Sequence, residues 1–198
     1  MGILFIVSAP SGAGKTSILK EVLAKVDNAE LSISYTTRAA RSVEVDGVDY
    51  HFLSKAAFSE MIDGNDLLEY AEVFGNCYGT SKAAIKSQLQ HSDVFLEIDW
   101  QGAMAIKELH PEAVWVFILP PSMSELSKRL MARNTNAKSD IESRLAQAID
   151  DMEYAKRSDY TIFNKDFDIA CSELISIIKS ERLRSTRQQQ LICDIIND

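Results

Sequence analysis

The chain has 198 residues, 46% of them hydrophobic and 25% charged, with a formal net charge of −8. That length suits one compact α/β unit carrying inserts, and the composition is that of an ordinary globular core. The acidic balance excludes a general nucleic-acid binder, which needs a basic face, but small phosphorylated ligands could still be held by locally clustered cations.

Residues 3–7, Ile-Leu-Phe-Ile-Val, form a continuous apolar run and predict a strand buried on both faces. A glycine-containing stretch follows, and residues 17–26 read as an amphipathic helix. Two further buried strands are expected at residues 94–99 and 114–119, the latter stopped by Pro120-Pro121, and a shorter one at 160–163. Helices are expected between them at residues 82–90, 102–109, 124–131 and 140–156, with a long one at about 167–187. This alternation predicts a parallel sheet covered by helices on both faces.

Residues 34–80 break the rhythm. Short alternating stretches at 48–52 and 67–70 indicate a small mixed subdomain inserted into the core. The polar stretch 185–190 reads as a helix end or a tail, and the sequence leaves open whether the last long helix packs on the core or meets a second subunit. No internal repeat is evident. Cys77, Cys171 and Cys193 lie far apart, as do His51, His91 and His110, which suggests neither a disulfide framework nor a zinc site. The first apolar run is too short for a signal peptide or a membrane span, so the expected compartment is the cytoplasm.

Between the first strand and helix stands Ala9-Pro10-Ser11-Gly12-Ala13-Gly14-Lys15-Thr16. It matches the phosphate-binding pattern G-x-x-x-x-G-K-[ST] at every fixed position except the first, where alanine replaces glycine. Backbone N–H groups at a helix N-terminus favour an anion, and Gly12 and Gly14 let the chain approach it closely. Lys15 adds a point charge, and Thr16 can offer a hydroxyl to the Mg²⁺ that accompanies a nucleotide.

Asp99 is expected to end a strand beside the loop strand and to handle hydrated metal or orient ligand groups, with Glu97 pointing to the same face. Arg38 and Arg41 follow a predicted strand and suit a bidentate grip on phosphate. Arg129 and Arg133 share a helix face at i,i+4 spacing, and Arg144 lies on the next helix. Two arginine sets around one loop suggest an acceptor clamp and a closing lid.

These residues resemble the bacterial type of guanylate kinase over nearly the whole chain. The resemblance rests on residues 8–16, Thr36-Thr37-Arg38-x-x-Arg41, Gly47-x-x-Tyr50, Glu69, Gly75-Asn76-x-Tyr78-Gly79-Thr80, Asp99-x-Gln101-Gly102 and Pro120-Pro121-Ser122. It departs from the family pattern at Ala40, Val43, Asn134 and Lys165. The resemblance implies a P-loop core (1–33, 82–123 and 157–187), a mixed α/β GMP-binding insert (34–81), a helical lid (124–156) and a C-terminal tail (188–198).

It also implies γ-phosphoryl transfer from MgATP to GMP, and to dGMP, with catalytic roles for Lys15, Arg38, Arg133 and Arg144. The loop from Ala9 to Thr16, with Arg129, Arg133 and Asn164, would meet ATP. Ser34, Glu69, Thr80 and Asp99 would face guanine, while Arg38, Arg41, Tyr50 and Tyr78 would hold its 5′-phosphate. Guanine presents two adjacent donors that one carboxylate such as Glu69 can accept together, and adenine does not. Two rival readings remain at this stage: a related kinase for another phosphorylated acceptor such as a ribose bisphosphate, and a non-catalytic interaction module. Glu69 and Thr80 count against the first, and the intact Gly14-Lys15-Thr16 against the second.

Overall fold

The computed structural model describes residues 2–73, 75–132 and 138–197, with the side chains of 138–142 outside that description. Strand β1 (Leu4–Ser8) is buried along its whole length, as its unbroken apolar run requires. Helix α1 (Lys15–Leu23) follows the loop, then β2 (Ala29–Ser32), β3 (Tyr35–Thr36), β4 (His51–Phe52), α2 (Lys55–Asp63), β5 (Leu67–Val73) and β6 (Asn76–Ser81). The chain continues through α3 (Lys82–Gln88), β7 (Asp93–Glu97), α4 (Trp100–Leu109), β8 (Val114–Leu119), α5 (Met123–Ala132) and α6 (Lys138–Glu153). A 3-10 turn (Tyr154–Arg157), β9 (Tyr160–Phe163), α7 (Phe167–Arg182) and α8 (Gln189–Asn197) complete it.

The main sheet is parallel, in the order β2-β7-β1-β8-β9. Alternate residues of β1 serve opposite faces. Phe5 and Val7 pack with Ile18, Leu19 and Val22 of α1 and Leu174 and Ile178 of α7. Leu4 and Ile6 pack with Ile85, Ile106, Trp115 and Phe117 toward α3 and α4. Since β1 lies between β7 and β8, the chain leaves it where the strand order reverses, and such a switch point opens a crevice at the carboxyl ends of the strands.

The insert has its own sheet, ordered β4-β3-β6-β5, with α2 beside it. Helices α5 and α6 bury Leu126, Leu130 and Ala148 between them.

Several boundaries differ from the sequence reading. A fifth core strand, β2, was not expected. Its residues Ala-Glu-Leu-Ser carry almost no apolar signal, and only Ser32 is fully buried, because β2 is an edge strand supported by pairing with β7. The alternation at 48–52 yields only β4, since Val48 stays exposed and Gly47, at φ 76°, turns the chain before it. The strand expected to reach Asp99 stops at Glu97, because Asp99 leaves the sheet to cap α4. Helix α7, expected to run to about residue 187, ends at Arg182, and residues 189–197 of the C-terminal tail form α8.

Candidate active site

The phosphate-binding loop is shaped by its glycines. Gly12 and Gly14 have φ of 89° and 100°, a left-handed region that costs an L side chain about 1–2 kcal/mol. Gly14 is also the N-cap of α1, and no side chain caps that helix. By contrast Ser54, Ser81, Asp99 and Asp166 cap α2, α3, α4 and α7 with oxygen acceptors. The first turn of α1 therefore offers its amides to a ligand rather than to its own chain.

Pro10 and Ala13 close the loop internally, the Ala13 N–H donating to the Pro10 carbonyl at 3.2 Å. Ala9 sits at the loop's entrance and lines the crevice with Ser11. The Lys15 ammonium donates to the Ile98 carbonyl at 3.0 Å. Burial holds its pKa below the usual lysine range, while the negative charges of Glu97, Asp99 and Asp151 pull it back up. An anionic phosphate in the loop would reinforce the protonated form.

Glu97, rather than Asp99, meets the loop's hydroxyl: Thr16 Oγ1 donates to Glu97 Oε1. The register explains this. β7 lies directly beside β1, with Glu97 opposite Val7, so the last side chain of β7 reaches the start of α1. Asp99 has another task, its Oδ1 accepting from the Gly102 N–H at 2.9 Å, although it still lines the crevice. The strand expected to end at Asp99 thus ends at Glu97, and it is Glu97 that touches the loop.

Across the crevice, a cleft of about 360 Å³ joins Lys15, Ser34, Arg38, Tyr50, Glu69 and Tyr78, and its wall also includes Arg41 and Asp99. Glu69 is 7% exposed. Its Oε1 accepts a 2.6 Å bond from Thr80 Oγ1, because β5 and β6 pair with these two residues opposite each other. Burial raises the Glu69 pKa to about 7, with the Asp99 charge adding to it and the Thr80 bond opposing it. Gly102 allows α4 to approach, since a Cβ there would lie 2.7 Å from Glu69 Oε2. A buried carboxylate lining a cleft can accept two neighbouring donors from a planar base.

Arg38 lies 5.4 Å from the Tyr50 ring, and Tyr50 meets Tyr78 edge-on at 6.0 Å. Burial pushes the Tyr50 hydroxyl up to about 12, so it is a donor at neutral pH. Arg38 also makes a fork with Glu44, its Nη1 and Nη2 donating to the two carboxylate oxygens at 2.9 and 2.8 Å. Glu44 was not singled out from the sequence. Its position three residues beyond Arg41 was the available signal, and a lone acid in a charged loop is an ambiguous one.

On α6, Arg144 reaches toward Ser11 Oγ at 3.5 Å and lines the same cleft. Arg129 lies against the loop, donating to the carbonyls of Ala13 at 3.4 Å and Asn164 at 3.2 Å. Arg133 and Asn134 lie outside the described residues. Asn164, expected near the adenine of ATP, is buried beneath the loop, where its Nδ2 donates to the Ala13 carbonyl at 2.7 Å. A buried amide must satisfy its donors, and the loop backbone is the acceptor within reach.

Sequence reasoning also missed Asp151. It accepts from Trp100 Nε1 at 2.9 Å, joining α6 to the head of α4, while Trp100 stacks on Tyr154 at 3.6 Å. Burial lifts the Asp151 pKa to about 6.

A strand–loop–helix phosphate cradle facing an arginine-lined cleft with one buried carboxylate defines a P-loop phosphotransferase of the nucleoside-monophosphate kinase class. A family model described as Guanylate kinase matches residues 1–181. The chain is 47% identical over 196 residues to a guanylate kinase of Chromobacterium violaceum, covering 98% of this chain and 93% of that one. It is 49% identical over 199 residues to a guanylate kinase of Shewanella oneidensis, covering 100% and 96% respectively. The crystal structure of guanylate kinase from Anaplasma phagocytophilum superposes with a TM-score of 0.80 at 31% identity, over 94% of this chain and 89% of that one. A shikimate kinase of Bacteroides thetaiotaomicron, 12% identical with a TM-score of 0.52, shares the fold alone. The chain belongs to the guanylate kinase family.

Proposed function

We propose that this enzyme moves the γ-phosphoryl of MgATP to the 5′-phosphate of GMP, and of dGMP, giving ADP and GDP. The observation that carries the reading is the buried Glu69–Thr80 pair in a cleft shared with Lys15, Arg38, Tyr50 and Tyr78. In this reading Glu69 accepts N1–H and the exocyclic amine of guanine, with Ser34, Thr80 and Asp99 completing the base site. Arg38, Arg41, Tyr50 and Tyr78 hold the acceptor phosphate. The loop from Ala9 to Thr16 encloses the ATP phosphates, and Lys15, Arg144 and Arg129 neutralise charge on the moving group, with Arg133 assigned to the same task by resemblance.

Asn164 supports the loop from beneath in this scheme. Transfer is in line and needs no covalent intermediate and no dedicated base, because the acceptor oxygen is already anionic at neutral pH. Closing the insert and lid over the cleft would keep water from the phosphoryl group. The units assigned are a core (1–33, 82–123 and 157–187), an acceptor insert (34–81) and a lid (124–156).

Mg²⁺ fits the residues present. Thr16 and Glu97 bring oxygen donors together beside the loop, the donor type this hard cation takes. The ion would be carried mainly by the nucleotide phosphates. When bound it would offset the negative charge of the phosphate chain.

No helix among the described residues is long and apolar enough to cross a membrane, and we assign the enzyme to the cytoplasm. Leu191, Ile192, Ile195 and Ile196 are exposed on α8, which favours self-association through that helix. A concentration-independent monomer mass by light scattering would reject this assembly.

The deciding experiment for the activity follows ADP release with GMP, dGMP, AMP, CMP and UMP as acceptors. GMP should exceed AMP by roughly 10⁴-fold in kcat/KM, because adenine leaves the buried carboxylate unpaired. Comparable rates with AMP would refute the reading.

A further inference from the structure

The Arg38 guanidinium in the phosphate cleft is already committed to a carboxylate. Glu44 Oε1 and Oε2 accept from Nη2 and Nη1 at 2.8 and 2.9 Å, and Oε2 also accepts the Arg41 backbone N–H at 2.8 Å. The Arg41 Nη1 lies 3.7 Å from Oε1. One carboxylate therefore touches both arginines assigned to the acceptor phosphate.

The burial is unequal. The side chains of Arg38 and Glu44 are 17% and 12% exposed, whereas that of Arg41 is 67% exposed. Arg38 also donates to the Ala39 carbonyl at 2.9 Å and lies over the rings of Tyr50 and Phe52 at 5.4 and 5.8 Å. The Glu44 fork occupies the Nη1/Nη2 end of the guanidinium, and the adjoining Nε/Nη2 edge makes no hydrogen bond to Glu44. Arg38 keeps the Glu44 carboxyl below the usual carboxylate range, so Glu44 is charged at neutral pH.

We propose that Glu44 is the positioning residue of the acceptor-phosphate clamp: its fork on Arg38 and its bond to the Arg41 N–H hold the Nε/Nη2 edge of Arg38 and the Arg41 stem ready for phosphate. This rests on the guanylate-phosphorylating reading above. Two effects of the carboxylate oppose one another. Its negative charge repels an incoming phosphate, but its fork removes the entropy that a free arginine would lose on binding. Glu44 is nearly buried and Arg38 has neighbours on several sides, so the geometry is fixed before the ligand arrives. Meanwhile the charge of Glu44 is offset locally by two guanidinium groups. Positioning therefore outweighs repulsion.

The test is Glu44→Gln, a near-isosteric change that breaks the symmetric fork. The readouts are KM for GMP, KM for ATP, thermal unfolding, and inhibition by guanosine, which lacks the phosphate. Loss of a hydrogen bond to a charged group should raise KM for GMP about 10- to 50-fold. The guanosine inhibition constant and KM for ATP should stay within about twofold, as the loss concerns phosphate alone. In an Arg38→Ala background the same substitution should cost severalfold less than in the parent, because the fork is already gone and only the contacts with Arg41 remain.

An unchanged or lowered KM for GMP would overturn the proposal, since repulsion would then dominate. An equal loss for guanosine would also overturn it, by showing a general structural role. Should Glu44→Gln not fold, Glu44→Asp serves instead. It keeps the charge but is one methylene too short to span both nitrogens, and an unchanged KM for GMP there would equally refute the assignment. Failure of the parent reading is separately visible, as the unsubstituted enzyme would then not phosphorylate GMP at all.

Discussion

Replacing Glu69 by glutamine should make the ligand-free protein more stable and the enzyme far less able to use GMP. Both effects follow from one buried carboxyl. Its pKa is raised from the ordinary 4.5 to about 7, chiefly by burial. The native state therefore holds the proton more tightly than the unfolded chain does. The resulting stability is fully present below about pH 4.5 and is lost as pH rises through about 7. At ~1.4 kcal/mol per tenfold change in ionisation constant, the ionised form costs on the order of 3 kcal/mol above pH 8.

Glutamine never ionises, and its carbonyl can still accept the Thr80 hydroxyl. The variant should melt on the order of 6–12 °C higher at pH 8 and nearly level with the parent at pH 5. Toward GMP the sign reverses. The amide NH₂ would oppose a guanine donor, losing charge-assisted bonds of roughly 1.5–3 kcal/mol each, so kcat/KM for GMP should fall about 10²- to 10³-fold. ATP binding should be unchanged. Calorimetry across pH, with KM for each nucleotide, checks both halves. Equal melting temperatures at pH 8, or equal losses for GMP and ATP, would refute the reasoning. Guanosine inhibition of the parent should weaken below about pH 7 as Glu69 takes up its proton, and that dependence should be absent from the variant.

Lys15→Ala should lower turnover by ~10³-fold or more while leaving the melting temperature no lower, since it removes a buried ammonium that burial disfavours. Turnover within tenfold of the parent would contradict the loop's assigned role. Gly14→Ala places a Cβ at φ 100° and 2.4 Å from Asn164 Nδ2. It should destabilise the fold by about 1–3 kcal/mol and abolish ATP binding, measured by unfolding and titration. Trp100→Phe keeps a ring to stack on Tyr154 but deprives Asp151 of its 2.9 Å donor. Stability should drop by ~1–2 kcal/mol and KM for ATP should rise severalfold, with guanosine inhibition unaffected.

What was legible from sequence was what is contiguous in it. Residues 9–16 carry their own backbone geometry, because glycines at two positions and a helix start immediately afterwards specify the cradle without help from the rest of the chain. The buried strands β1, β7 and β8 were equally plain, as uninterrupted apolar runs leave few alternatives. The arginines were visible as arginines in an acidic chain, and the resemblance supplied the role of Glu69.

Tertiary structure alone decided which side chains meet. Whether Glu97 or Asp99 reaches Thr16 depends on the register of β7 against β1 and on where α4 begins. The Thr80 hydroxyl finds Glu69 only because β5 and β6 pair antiparallel with a shift between Leu67 and Glu69. Asn164 meets the Ala13 carbonyl, far away in the chain, because β9 pairs with β8 in the core sheet. The Glu44 fork depends on the loop that carries Arg38 folding back on itself. Local propensity reports what a segment can form by itself. The partner of a buried polar group is set by distant segments that must satisfy it, and that demand exists only once the sheets have assembled.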